Sequence, residues 1–294
     1  MRLVMTLIIC FVFASCASRG NSTRLFELPE MQTVSLSPIS HIQNKEISEA
    51  SGLVKSRIYP GVYWTHNDSG GKTRLYALKI NEPEPSTIAG IIDLKEVENQ
   101  DWEDVSIDKF GKLYVSDTGN NKQKREVLSF YVISETSKTG ISTEYKFRFP
   151  DYQKPVKNKN FDCEAMFHFQ NKLYLLTKHR DDAKTKLYRF NELTEDVLMV
   201  PEKLYTFDIG GMVTSADMSK NERQLAVLTY DSVWLFKNFK EDKFFTGDVY
   251  FLPISAKQCE AICFDNEDEL LISNEQREIF RIAVQDFIKI EKRK

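Results

Sequence analysis

The sequence predicts an all-β protein, a β-propeller of five four-stranded blades. Three observations lead there. One pattern returns five times along the 294 residues: an acid, a short apolar strand, a tight turn, then a Leu-Tyr-like strand ending in Ser or Thr. The apolar positions within these runs recur at a spacing of two, and aromatic and β-branched residues fill them, as in strands. Four short strands per repeat, at a period of roughly 40–60 residues, match a propeller blade.

The elements follow in chain order. "MRLVMTLIICFVFASCAS" opens with one early cation, Arg2, and an apolar run over residues 3–14. That run is shorter than the roughly 20 residues needed to span a bilayer, and fits a secretory signal segment over residues 1–15. "FASC" resembles the lipobox of bacterial lipoproteins, with Phe13 at a position usually held by Leu. The resemblance implies a lipidated Cys16 and a protein of the cell envelope anchored to a membrane. Cleavage near Ala17 without a lipid is the other reading. Residues 16–41 read as a polar tether, and residues 42–294 as the propeller.

The five repeats begin at "EASGLVKS", "DWEDVSID", "CEAMFHFQ", "TSADMSKN" and "CEAICFDN". The repeat acid is Glu49, Glu103, Glu164 and Glu260, with Ser215 in the fourth copy, at spacings of 54, 61, 51 and 45 residues. A third strand follows in each copy ("RLYALKI", "SFYVIS", "KLYRFNE", "SVWLFKN", "EIFRIAV"). A fourth follows in the first four ("TIAGIIDL", "EYKFRFPD", "KLYTFDI", "DVYFLPI"). The last copy ends near the C-terminus, so its outer strand comes from elsewhere: "MQTVSLSPI" near the N-terminus, or "FIKI" at Phe287. Six blades is the alternative, if the terminal segments build a degenerate one.

Forty Lys and Arg against 43 Asp and Glu, with no basic block, exclude a nucleic-acid binder. Cys163, Cys259 and Cys263 lie outside the export segment. They are odd in number, show no CxxC pair, and read as small apolar core residues.

In a propeller the loop entering the inner strand and the loop joining the second and third strands open on one face. That face should gather Glu49 with His66, Asn67 and Asp68, and Glu103 and Asp104 with Asp117 and Asn120. It should also gather Glu164 with Lys178, His179 and Arg180, Tyr230 with Asp231, and Glu260 with Asn274 and Glu275. Converging carboxylates repel unless protons, cations or basic groups compensate. An oxygen-rich cup suits calcium or another divalent cation, with Glu49, Glu103, Glu164 and Glu260 as ligands. The alternative is architectural, each repeat acid accepting backbone N–H bonds from the next blade. His66 and His179 are the candidate proton carriers, or packed core residues. Lys178 and Arg180 could select an anionic group, or neutralise Glu164. Asn67, Asp68, Asp117, Asn120, Asp231, Asn274 and Glu275 complete the expected ligand-binding face. No Ser-His-Asp order, nucleophile elbow or HExxH helix is present.

"EASGLV", "DWEDVSID..GKLYVSD" and "CEAICFD" resemble secreted bacterial propellers over residues 45–285: the esterase-like phytase domains, the SdiA-regulated proteins and, more distantly, the gluconolactonase type. In the lactonase-type relatives a Glu opening an inner strand helps hold a divalent metal, which the resemblance maps to Glu49. Their following Gly-Pro is Ala50-Ser51 here, and the dense Asp tracts of the calcium-dependent phytases are missing. Three functions follow as expectations. The first is an envelope lipoprotein binding a small molecule or protein at the acidic channel mouth. The second is a metal-dependent hydrolase of a phosphoester or lactone. The third is a structural envelope component.

Overall fold

The computed structural model describes residues 26, 28 and 30–291; the signal segment and Cys16 lie outside these. Five antiparallel sheets stand in a ring. Blade 1 is Ala50–Lys55, Val62–Asn67, Arg74–Lys79 and Thr87–Asp93. Blade 2 is Trp102–Ile107, Lys112–Asp117, Leu128–Ser134 and Thr143–Phe147. Blade 3 is Asp162–Phe169, Lys172–Lys178, Thr185–Phe190 and Glu202–Phe207. Blade 4 is Val213–Met218, Gln224–Thr229, Ser232–Lys237 and Asp248–Ser255. Blade 5 is Cys259–Phe264, Glu269–Asn274 and Glu278–Ala283, completed by Ser40–His41.

The ring therefore closes through the N-terminal side of the chain. Ser40 and His41 pair with Ile279 and Glu278, flanked by Ile39 N–H to the Ile279 carbonyl at 2.7 Å and Ile42 N–H to the Arg277 carbonyl at 2.8 Å. The closing strand starts just beyond the "MQTVSLSPI" stretch. Val34–Ser35 from within that stretch, and Ile288–Ile290 from "FIKI", both join the outer strand of blade 4 instead. Both terminal segments are thus used on existing blades, and the count is five. Leu198–Met199 similarly extends blade 2, in parallel with Thr143–Phe147.

The core lies between blades. Each middle strand sends alternate side chains into opposite interfaces: Leu173 and Leu175 pack toward blade 2, Tyr174 and Leu176 toward blade 4. Both faces of such a strand are covered, so Val62–Asn67 and Gln224–Thr229 are buried throughout. The outer strand Thr87–Asp93 alternates between exposed and partly buried positions. Cys163, Cys259 and Cys263 are buried free thiols packed into three different blade interfaces.

Every inner strand carries a β-bulge at its channel-mouth end. Pairing skips Gly52, Glu103 with Asp104, Glu164, Thr214 and Glu260. A bulge leaves its residue outside the ladder and re-aims its side chain. Gly52 and Thr214 thus occupy the slot that the sequence pattern assigned to Glu49 and Ser215. Gly52 has φ +65°, and a Cβ there would lie 2.7 Å from His66 Nε2 and 2.8 Å from Val105 N. Only glycine fits.

Neighbouring blades are fastened at the same level. Hydroxyls of Ser51, Thr118 and Thr214 donate to the carbonyls of Glu103, Cys163 and Cys259 at 2.8, 2.7 and 2.9 Å. Carboxylates do the same work: Asp104 accepts the Met166 N–H and Asp217 the Phe264 N–H, at 2.9 and 2.8 Å. Acid-to-backbone fastening therefore falls to aspartates, Asp104, Asp217 and Asp162, the last accepting the Asn120 N–H at 2.6 Å, and not to the repeat glutamates. Asp104 also accepts its neighbour's Val105 N–H and the Ser215 hydroxyl. Burial raises its pKa well above the carboxylate range despite these donors. Asp104→Ala should destabilise the fold by about 2–4 kcal/mol, since it orphans buried donors. Asp104→Asn keeps one accepting oxygen but turns the other into an NH2 that faces a backbone N–H, so it should lose a smaller part of this, about 1–2 kcal/mol. Urea unfolding of the two variants reads the difference; equal losses would show that the donors find other partners.

Candidate functional site

The bulges and the loops above them bring two sets of carboxylates together. Asp68, Asp101 and Glu103 form one triad, and Glu103, Asp162 and Glu164 the other; within each, one oxygen per residue lies within 4.8 Å of the others. Glu103 is shared. Its position follows from three local devices. Asp117 pairs with Trp102 across the blade and accepts the Asp101 N–H at 3.1 Å, which fixes the loop carrying Asp101. Arg125 holds Asp117 at 2.9 Å. Gly119 lies against Asp101 and Glu103, and a Cβ there would meet Glu103 Oε1 and Asp101 Oδ2, so a larger residue would have to push these carboxylates aside.

Charge balance differs between the triads. Arg180 bonds Asp162 Oδ2 through Nε at 3.0 Å and Nη2 at 2.8 Å, and reaches Glu164 at 3.4 Å. Lys178 Nζ contacts Glu164 Oε2 at 2.7 Å and the Tyr230 hydroxyl at 2.8 Å. None of Asp68, Asp101 and Glu103 makes such an ion pair among the described residues, the nearby Arg125 being paired with Asp117. Among the described residues the carboxylates of Glu103 and Asp101 make no hydrogen bond or ion pair, though Glu103 is only 6% exposed. Burial, reinforced by the neighbouring acids, raises Glu103 well above the carboxylate range and Asp101 to about 6. Burial also raises Asp68 and Asp117, and lifts Glu260 to about 7.

The remaining expected residues divide into mouth and scaffold. Glu49 is exposed at the rim, ahead of the bulge. Glu275 sits near it, its carboxyl raised by burial and by the charges of Glu49 and Asp68. Glu260 lies across the cup, coupled to Lys178 and Tyr230. Asn67 spends its amide on Ser48 N–H and the Glu46 carbonyl, Asn120 on both backbone groups of Arg125, and Asn274 on Glu278. Asp231 accepts from Thr229 in the turn it occupies. These hold loops in place.

His66 is fully buried, edge-on to Trp102 at 5.7 Å, with Nδ1 on the Asn67 carbonyl and its pKa lowered to about 4 by burial. His179 bonds Asp182 at 2.6 Å, and burial lowers its pKa too. Neither belongs to a triad. Asp101 and Asp162 are the ligand-type residues that the repeat pattern passed over. The usable signal was Asp-x-Glu in adjacent repeats, "DWE" and "DCE". No protein-family model matches this chain, and no curated protein does either.

The raised pKa values carry a sign. Asp101 binds a proton more readily folded (about 6) than unfolded (3.8), so its contribution is favourable at acid pH and is lost as pH rises through 6. Neutral buried His66 and His179 act oppositely below about pH 6.5, so the informative quantity is a difference between proteins. In chelator, Asp101→Asn should gain about 1–2 kcal/mol relative to wild type between pH 5 and 8, after allowance for partial exposure. Paired thermal melts across that range measure it; a flat difference would mean that Asp101 is screened.

Proposed function

We propose that the propeller is a binding module whose channel mouth holds a divalent cation. Asp68, Asp101 and Glu103 are its first ligands, and Asp162 and Glu164 are positioned for a second ion bridged by Glu103. The observation that carries this reading is the buried Glu103 carboxylate, without a partner of its own, beside two further carboxylates. An uncompensated buried charge costs several kcal/mol. A cation removes that cost for all three groups at once. The donors are all oxygen, with no His or Cys among them, which suits calcium, magnesium or manganese better than zinc.

One observation favours a hydrolytic variant of the same site. Glu260, at about pH 7, has the pKa of a general base and lies across the cup. A cation in the triads would then polarise substrate and activate water. His66 and His179 engage only Nδ1 with a neighbour and Nε2 of each has no partner among the described residues, so both stay candidate proton carriers beside Glu260. Turnover of phosphoesters or lactones that is lost in Glu260→Gln would support this variant. Binding without turnover leaves the module reading alone.

Calorimetry with calcium, magnesium, manganese and zinc tests the site. Wild type should bind calcium, with a rise in melting temperature, and Glu103→Gln should lose at least about tenfold in affinity, the equivalent of one strong ligand contact. No heat and no thermal shift with any of the four ions would overturn the reading.

Export and anchoring rest on the sequence of residues 1–16 alone. A lipid on Cys16 would place the module at a membrane surface, where two or more acyl chains give stable attachment. Cys16→Ala should move the protein from the membrane to the soluble or uncleaved fraction. Intact-mass analysis showing a mature N-terminus at Ala17 or beyond would exclude the anchor.

A further inference from the structure

The connection between the third and fourth strands of blade 3, residues 191–201, leaves its own blade and then returns. Midway it lays Leu198–Met199 in parallel beside Lys146 and Phe147 of blade 2, and the Met199 carbonyl accepts the Arg148 N–H at 3.0 Å. Leu198–Met199 is the last strand of that sheet, and among the described residues no strand pairs with its outer side. Successive residues of a strand turn their backbone groups to opposite edges. Met199 faces blade 2, so Leu198 turns its N–H and carbonyl outward. Such an edge is a template for one more strand.

The side chains on this edge are apolar, and their surroundings are acidic. Val197, Leu198 and Val200 are 51%, 48% and 51% exposed. A single exposed apolar residue is ordinary, whereas a run of them marks a contact surface. Two concavities of about 690 and 370 Å³ flank the run and share Val197 and Leu198. Glu144, Glu195 and Asp196 rim the larger, Glu192 and Glu202 the smaller. Each concavity has one cation, and both are already held: Lys146 by Glu144 at 3.2 Å, and Arg189 by Glu202 and Asp242. Among the described residues Glu192 and Asp196 have no ion partner. The strip thus combines an open backbone edge, exposed aliphatic side chains and unbalanced negative charge.

We propose that this edge docks an extended segment of a partner protein in which apolar residues alternate with Lys or Arg, added as a strand outside Leu198–Met199. Strand addition takes its affinity from main-chain hydrogen bonds and its selectivity from alternate side chains. The exposed valines and Leu198 call for apolar side chains on one face of the segment. The uncompensated acids call for cations on it. A second copy of this chain fits less well, because edge-to-edge pairing would bring two acidic rims together, and like charges across a contact are unfavourable.

The probe is a fluorescein-labelled hexapeptide of alternating Val and Lys, titrated by anisotropy against the full chain in EDTA, so that the outcome does not depend on the cation site. It should bind, more weakly as salt rises. Glu192→Lys with Asp196→Asn should weaken it by about tenfold or more, while Glu84→Lys on blade 1 should leave it unchanged. Leu198→Pro removes an N–H that blade 2 does not use, and should also weaken binding. Thermal melts verify that each variant keeps the fold. Absence of binding, or binding indifferent to the double charge variant, overturns the proposal. A Ser-Lys hexapeptide that binds as tightly as Val-Lys, or indifference to Leu198→Pro in a folded protein, overturns strand addition and leaves charge attraction alone.

Discussion

The Asp104 carboxylate is the point on which the channel mouth depends. It rises from the bulge of blade 2, takes a backbone N–H from blade 3 and a hydroxyl from blade 4, and so joins three blades at one place. A bulge frees two consecutive residues, and blade 2 uses them differently. Asp104 turns its carboxylate into blade-to-blade hydrogen bonds, while Glu103 is left to face its neighbours' acids. The geometry that assembles Glu103, Asp101 and Glu164 is therefore a by-product of the contact that locks the ring. If the inner strand of blade 2 slipped by one residue in its ladder, its side chains would exchange faces and the cup would dissolve with the fastening.

Placing the acids so close is not free of consequence. Two unit charges at 4–5 Å interact by about 3–4 kcal/mol at an effective dielectric near 20. Whole-domain stability is about 5–15 kcal/mol. Several uncompensated pairs would therefore rival the net stability of the fold. The protein compensates one side only: Lys178 and Arg180 cover Glu164 and Asp162, and Tyr230 links Lys178 toward Glu260. On the blade 1 to blade 2 side Arg125 pairs with Asp117, and among the described residues no cation pairs with Asp68, Asp101 or Glu103. Protons or a metal must do the work there, and the raised Asp101 and Glu103 describe the proton-bearing form.

Much of this architecture was legible in the residues. Strand order and blade number follow from alternating aromatic runs, because middle strands buried on both faces tolerate only such residues. "VYWTHN" and "QLAVLT" show it. The slot of the acid was less legible. A bulge has no composition of its own, so Glu49 and Ser215 looked equivalent to Glu103, whereas Gly52 and Thr214 are. Polar residues after the second strand looked like ligands, yet Asn67, Asn120 and Asn274 bond nearby backbone, the ordinary fate of a short amide at a strand end. The closing strand was placed a few residues early because a two-residue pairing at Ser40–His41 leaves almost no periodic trace.

Departures from the repeat also explain why the face is polarised. Blades 2 and 3 carry Asp-x-Glu with the Glu at the bulge. Blade 1 contributes Gly52 at the bulge and Asp68 from the loop above it. Blade 4 has Thr214, whose hydroxyl is spent on the Cys259 carbonyl. Thr214 thus spends its side chain on fastening at a position where Glu103 and Glu164 can only add charge. A ring of five acids in this slot would have concentrated more repulsion than two cations on blade 3 could offset. Leaving the acid out of blades 1 and 4 limits that repulsion, with the two triads in the sector spanned by blades 1 to 3 and Glu260 of blade 5 across the cup. Arg180, which bonds Asp162 of blade 3 and Asn121 of the blade 2 loop, ties the two acid-bearing blades together at the edge of that sector.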